Sequence, residues 1–364
     1  MSTYLLEIGT EELPADLAES VISQLELNVK NDLNSSQIKF IEIKVTTTPR
    51  RIALIIEGIA KFSEDNIEER KGPPLSQAFQ NGKPTKAAIG FAKRYDLTTE
   101  NLEIRETSKG SFVFAKSIEK GKPVESLLSK YLPVWINKIQ GRRFMRWGRG
   151  DFRFSRPIRW VVSLLDSKVL HFDMKGCDPE IEIGDISRPH RLFGSECQIK
   201  HAETYVDQLY DVGVIVDRKK RLLCVKELVA NHEINNKFKA DLSDELLNEL
   251  TDIVEFPLLV NGKFDESFLK LPPEVLSTVM KVHQRYIPVY KNNIEFDPLS
   301  LDSKNILYPS FLCISNGLYS AKENIVLGNE KVLNARFSDA SFFINSDLLV
   351  NSSTRINKLK NVTF

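Results

Sequence analysis

Apolar and polar positions alternate in two different periods along this chain, and each change of period marks an element. Tyr4 to Ile8 is an apolar run holding one charge and closed by Gly9, the pattern of a short buried strand. Gly9 permits a sharp exit. Thr10 is placed to cap a helix, with Glu11 and Glu12 at the positive end of its dipole and Pro14 in its first turn. Leu17, Val21, Leu25, Val29 and Leu33 then recur at helical spacing, which predicts an amphipathic helix from about Pro14 to the Asn34-Ser35-Ser36 stop. Ile41, Ile43 and Val45 alternate with Glu42, Lys44 and Thr46, which is strand periodicity, and Ile52 to Ile56 reads as a second strand. Strands faced by a helix make the fold class α+β, with mixed or antiparallel sheets and packed helices.

The same reading extends through the rest of the chain. Arg70 to Pro74 is expected to be a basic loop, because paired prolines oppose regular structure. A helix follows around Thr85 to Tyr95, then a hairpin turning at Ser108 to Ser111. Pro123 to Lys138 is helical, with Leu127, Leu128, Tyr131, Val134 and Trp135 on one face. Val161 to Met174 reads as two strands joined through Asp166 to Lys168. Ala202 to Gly213 and Asp217 to Glu233 read as helices, and Arg218-Lys-Lys-Arg221 at the second start reads as a solvated face. Asp252 to Tyr290 mixes strand, loop and helix, Ile294 to Leu307 resembles a variable surface loop, and Gly328 to Asp347 has helical spacing. The 364 residues exceed one ordinary core. The regions are set at 1–140, a first α+β region; 141–240, an arginine- and aromatic-rich α+β region; and 241–364.

Composition adds exclusions. With 42% hydrophobic and 27% charged residues and no apolar run of about 20 residues, the chain is expected to be cytoplasmic with no membrane partner. A net charge of +1 argues against a basic coat, so any polyanion site must be a local patch. Cys177, Cys197, Cys224 and Cys313 have no metal-ligand spacing and are expected to be reduced. No phosphate loop, nucleotide-binding glycine turn, zincin helix or nucleophile elbow is present, so no catalytic residue and no metal site is assigned.

One anomaly stands out in residues 141–160. Arg142, Arg143, Arg146, Arg149, Arg153, Arg156 and Arg159 are interleaved with Phe144, Trp147, Phe152, Phe154 and Trp160, against the single acid Asp151. Guanidinium groups grip phosphates and stack on bases, so these arginines are candidate RNA contacts, with Gly148 and Gly150 letting the backbone approach a ligand. Structural packing of arginines on aromatic rings is the alternative. A polar cleft is the second candidate, drawing on Glu7, Glu11 and Glu12 at the first strand end and on Glu274, His283 and Gln284 around a helix started by Pro272-Pro273. It would recognise an RNA end or an aminoacyl group, or else be a capped helix packed on a strand. Arg336, Asp339 and Phe343 share one helix face, where the two charges can pair.

The string Leu5-Leu-Glu-Ile-Gly-Thr-Glu-Glu-Leu-Pro14 resembles the amino terminus of the β subunit of bacterial glycyl-tRNA synthetase. Thr48-Pro-Arg-Arg-Ile-Ala-Leu54, Lys71-Gly-Pro-Pro74, Gly90-Phe-Ala92, Met145-Arg-Trp-Gly148, Phe154-Ser-Arg-Pro-Ile-Arg-Trp160 and His190-Arg191 follow in the family's order. The resemblance implies a non-catalytic, tRNA-binding and scaffolding subunit of a glycine–tRNA ligase. Its expected partners are a catalytic α subunit, in an α2β2 tetramer, and tRNA(Gly). No cofactor is expected in this chain, while ATP and Mg2+ serve the holoenzyme. The resemblance also implies an amino-terminal region like the editing-type domain of the phenylalanyl-tRNA synthetase β chain. On that basis residues 241–364 hold the end of the editing-like region and the start of a further, truncated domain, so the chain is expected to be an amino-terminal fragment. Alternatives within this reading are a deacylase-like module using Glu274 and His283, or a purely protein-protein scaffold.

Overall fold

A computed structural model describes residues 1–108, 110–194, 196–292 and 303–359. The fold is α+β and is built on antiparallel sheets. The opening strand runs Ser2–Thr10 and is buried along its whole length, because it lies in the middle of a six-stranded sheet. It pairs with Arg51–Ile59 on one side and Ile158–Leu165 on the other, both antiparallel. Glu42–Thr48 extends one edge and Lys168–Val169 the other, while Ile183–Gly184 adds a parallel pairing to Ile158–Leu165. The sheet thus draws strands from both sides of residue 140.

The first helix spans Ala18–Ser35 after a short turn at Ala15–Leu17, and its buried positions are Ala18, Val21, Leu25, Val29 and Leu33. Four of these are positions of the predicted stripe, and Leu17 is buried just before them. Thr10 does not cap that helix. It ends the opening strand, where its amide donates to the Arg50 carbonyl at 2.8 Å. Val124–Lys138 forms the second helix on this core through Val124, Leu128, Leu132, Trp135 and Ile136. Val134 is 41% exposed, so the buried face is rotated from the predicted one towards Leu132 and Ile136.

A three-stranded sheet rises between these parts, with Gly110–Glu119 between Asn66–Pro74 and Leu102–Thr107 and the helix Lys86–Arg94 packed on it. Arg70 to Pro74 is therefore strand, not loop. It tolerates Pro73 and Pro74 because it is an edge strand whose register shifts between Lys71 and Pro74. Phe238–Ala240, Ile287–Lys291, Leu307–Ser315 and Leu258–Lys263 form a four-stranded sheet in that order. It is covered on one face by helices Arg218–Asn236 and Asp244–Asp252 and on the other by Pro273–Thr278 and the long helix Lys322–Leu348. Most of the predicted loop at Ile294 to Leu307 lies outside the described residues. Leu307 itself begins a strand. Among the described residues no helix is long and apolar enough to cross a membrane.

Candidate nucleic-acid interface

The arginine-rich segment folds into a small two-stranded ribbon, Met145–Arg146 against Arg153–Phe154, with Arg146 directly opposite Arg153. Its aromatic and cationic residues differ in burial. Phe154 and Trp160 are buried, and Phe144, Trp147 and Phe152 pack half-buried on the main core. Phe154 sits between Phe144 and Phe152 with ring centroids 5.4 and 6.1 Å away. The Trp147 indole donates to the Phe154 carbonyl at 2.9 Å. The rings therefore anchor the ribbon, while Arg142, Arg143, Arg146, Arg149, Arg153 and Arg159 are exposed and Arg156 is half-buried.

The ribbon is held by its own glycines. A side chain on Gly148 would lie 1.8 Å from the Asp178 carbonyl oxygen, and one on Gly150 would lie 2.0 Å from that of Gly176. These glycines let the ribbon approach a neighbouring loop of the same chain closely. The Arg149 amide donates to the Asp178 carbonyl at 3.2 Å and the Phe152 amide to Gly176 at 2.9 Å, fastening the mount. Gly148 has φ 72°, and Arg143 takes φ 65° in the same left-handed region.

The seven arginines are not equally available. Arg146 pairs with Asp151 at 3.1 Å, Arg159 lies 3.5 Å from Glu11, and Arg156 donates to the Ser155 carbonyl at 2.9 Å. Arg142, Arg143, Arg149 and Arg153 make no ion pair among the described residues. Two like charges face each other across the ribbon at Arg146 and Arg153. Such a pair opposes folding unless an anion lies between or solvent screens it.

The proposed cleft residues fall in three separate surroundings. Glu7 is fully buried, where its Oε1 accepts from the Ser187 hydroxyl at 2.6 Å and from the Trp160 indole. Glu11 and Glu12 are on the surface, paired with Arg191 at 3.3 and 3.1 Å. Glu274 and His283 are exposed and Gln284 is half-buried, all on the segment Pro273–Gln284 of the four-stranded sheet's cover. Among the described residues no hydrogen bond or ion pair joins Glu7 to Glu274 or His283. Arg336 and Asp339 stand 3.8 Å apart on an exposed helix face.

Sequence reading missed a buried charge cluster beside this surface. Arg51 and Glu255, both with fully buried side chains, are 3.2 Å apart, and the Thr48 hydroxyl donates to Glu255 at 2.8 Å. Burial opposes the Arg51 charge, but Glu255 and Glu7 outweigh it and hold the guanidinium above its ordinary pKa. Burial next to Glu7 pushes the Tyr205 phenol well up. Arg50, Arg51 and Arg188 surround the Trp160 ring at 5.6, 5.7 and 4.9 Å from its centroid. The expected solvated face at Arg218 to Arg221 is only half right. Lys219 and Lys220 are exposed, but Arg218 grips Asp252 at 2.7 Å and Arg221 is fully buried. Arg221 donates to the carbonyls of Thr47 and Ile215 at 2.7 Å and of Thr251 at 2.9 Å, and burial pushes it down to about 10. Thr48-Pro-Arg-Arg51, Glu7 and Trp160 each stood out locally, but nothing local joined them, because the members of the cluster are remote from one another in sequence.

The four cysteines are free thiols. Among the described residues no three His, Cys, Asp or Glu side chains are grouped to hold a metal ion. A family model described as glycyl-tRNA synthetase beta subunit matches residues 4–364. The chain is 40% identical over 363 residues to the glycine–tRNA ligase beta subunit of Trichodesmium erythraeum, covering 100% of this chain and 50% of that protein. It is 40% identical over 366 residues to that of Synechocystis sp., covering 100% and 49%, and 34% identical over 362 residues to that of Listeria monocytogenes, covering 99% and 50%. The chain spans about half the length of the curated relatives it matches.

Proposed function

The chain belongs to the glycyl-tRNA synthetase beta subunit family, and from that premise we propose that it is a tRNA-binding and scaffolding part of a glycine–tRNA ligase. In this reading a catalytic α subunit, joined in an α2β2 tetramer in the cytoplasm, uses ATP and Mg2+ to charge tRNA(Gly), and this chain holds RNA without performing the chemistry. The amino-terminal sheet and its helices take the place of an editing-type domain that no longer carries a reaction. The observation that carries the proposal is the arginine ribbon. Four exposed guanidinium groups without ion-pair partners among the described residues project from a mount locked by packed rings and glycine contacts. A purely structural role would use the arginines in internal pairs, as it does at Arg51 and Arg221.

The test is tRNA(Gly) binding by this chain with and without an α subunit, across a salt series. Expected are binding that strengthens with the partner and a log–log salt slope of about 0.7–0.9 per phosphate contact. Association with the α subunit but no RNA binding would reduce the chain to a scaffold.

A further inference from the structure

Resting on that reading, we propose that the open hollow beneath the arginine ribbon receives one unpaired nucleotide of the bound RNA, with its base against Phe152 and Phe144. The hollow measures about 680 Å³ and is lined by those two half-buried rings, by Arg153 and Lys175 and by Asn137. Its size falls in the range of small-ligand sites of roughly 300–1,000 Å³.

The chemistry favours a nucleotide over a peptide or a plain anion. Phe144 and Phe152 are half-buried and line the hollow while both pack on Phe154, so they offer an aromatic surface whose position is already fixed. Gly141 makes this possible on one side: a side chain there would lie 2.7 Å from the Phe144 ring. Arg153 and Lys175 are both exposed, and the acid that also lines the hollow, Asp151, is paired with Arg146 at 3.1 Å, so two cations stand beside the rings, as a phosphate next to a stacked base requires. The Asn137 amide group donates one hydrogen to the Pro133 carbonyl at 2.7 Å, which leaves its oxygen to accept from a base amino group and its second N–H to donate. A duplex cannot use this site, because its bases are stacked on one another and only its phosphates reach the ribbon.

The experiment is a fluorescence titration of the full chain with a single-stranded oligoribonucleotide carrying 2-aminopurine, against the same strand annealed to its complement. Expected are a change of 2-aminopurine emission with the single strand alone, and an affinity loss of roughly 5- to 150-fold in Phe152→Leu at an unchanged salt slope. Arg153→Gln should instead lower the slope. An oligomer with an abasic residue in place of 2-aminopurine makes the same comparison on the unaltered protein, should Phe152→Leu disturb folding. Equal affinity for the intact and abasic strands, or for single strand and duplex, overturns the nucleotide pocket but leaves phosphate binding by the ribbon standing. Absence of binding to every RNA overturns both.

Discussion

Replacing Glu255 with glutamine removes one buried charge and almost no volume, which isolates the electrostatic part of the inner cluster. Glu255 is fully buried, 3.2 Å from Arg51 and 3.8 Å from Arg50, and accepts the Thr48 hydroxyl at 2.8 Å. Its backbone is tied down as well, since its amide donates to the Asn316 side chain at 2.8 Å and its carbonyl accepts from Ile215 at 2.9 Å. Taking one partner from a buried pair costs about 3–5 kcal/mol, because the other charge is left without compensation. Here Glu7 also favours the Arg51 charge, so Glu255→Gln should fall at the lower end, about 3 kcal/mol. Arg51→Met removes the one guanidinium that both Glu255 and Glu7 favour and should cost more than the glutamine variant. The double variant Arg51→Met with Glu255→Leu removes both charges together and should recover much of the loss. Equilibrium urea unfolding of the parent, both singles and the double measures this coupling directly. Glu255→Gln within about 0.5 kcal/mol of the parent, with purely additive singles, would refute the claim that these two buried charges compensate each other.

Each of Arg142→Gln, Arg149→Gln and Arg153→Gln should lower the log–log salt slope of RNA binding by about 0.7–0.9 and leave the melting transition in place, as titrations at several salt concentrations would show. Gly150→Ala keeps every charge but places a methyl group 2.0 Å from the Gly176 carbonyl oxygen. It should cost about 1–3 kcal/mol locally, seen as faster hydrogen exchange at the Phe152 amide, and weaken RNA binding through the mount. Burial pushes the Cys313 thiol up to about 12, so its contribution to stability is complete below pH about 9 and is lost as pH rises from there towards 12. Unfolding followed by pH should therefore show an alkaline decline that Cys313→Ser reduces, and Cys313 should be the slowest of the free thiols to react with a disulfide reagent.

What periodicity can carry was legible in the residues. The stripe Val21, Leu25, Val29 and Leu33 is the buried face of the first helix, because each turn returns the same side to the sheet. Thr85 caps the next predicted helix by accepting from Ala88, as its type and place suggest. Where a local rule competes with tertiary position, the rule lost. Pro73 and Pro74 stand in a strand because only the inner side of that edge needs ladder hydrogen bonds. Arg221 lies in a basic run next to exposed lysines, yet two of its carbonyl partners are Thr47 and Thr251. No pattern within a window of sequence can report acceptors that far away. The arginine ribbon was found by composition alone, but which arginines remain unpaired depends on Asp151, Glu11 and Ser155 in space.

The inner cluster and the outer ribbon meet at Trp160. Its strand, Ile158–Leu165, follows the ribbon directly and pairs with the opening strand, while its indole donates to Glu7 and its ring faces Arg50, Arg51 and Arg188. Gly9 is opposite Trp160 in the ladder, and a side chain there would overlap the indole at 1.8 Å. Slipping this strand by one residue would turn Trp160 to the other face and leave Glu7 without that donor. Buried charges are poor at adding stability, since desolvation cancels most of their attraction. They penalise misplacement strongly, because every wrong register strands a charge. Burying Glu7, Arg51 and Glu255 around Trp160 therefore serves position more than stability, and what it positions is the strand from which the arginine ribbon is hung.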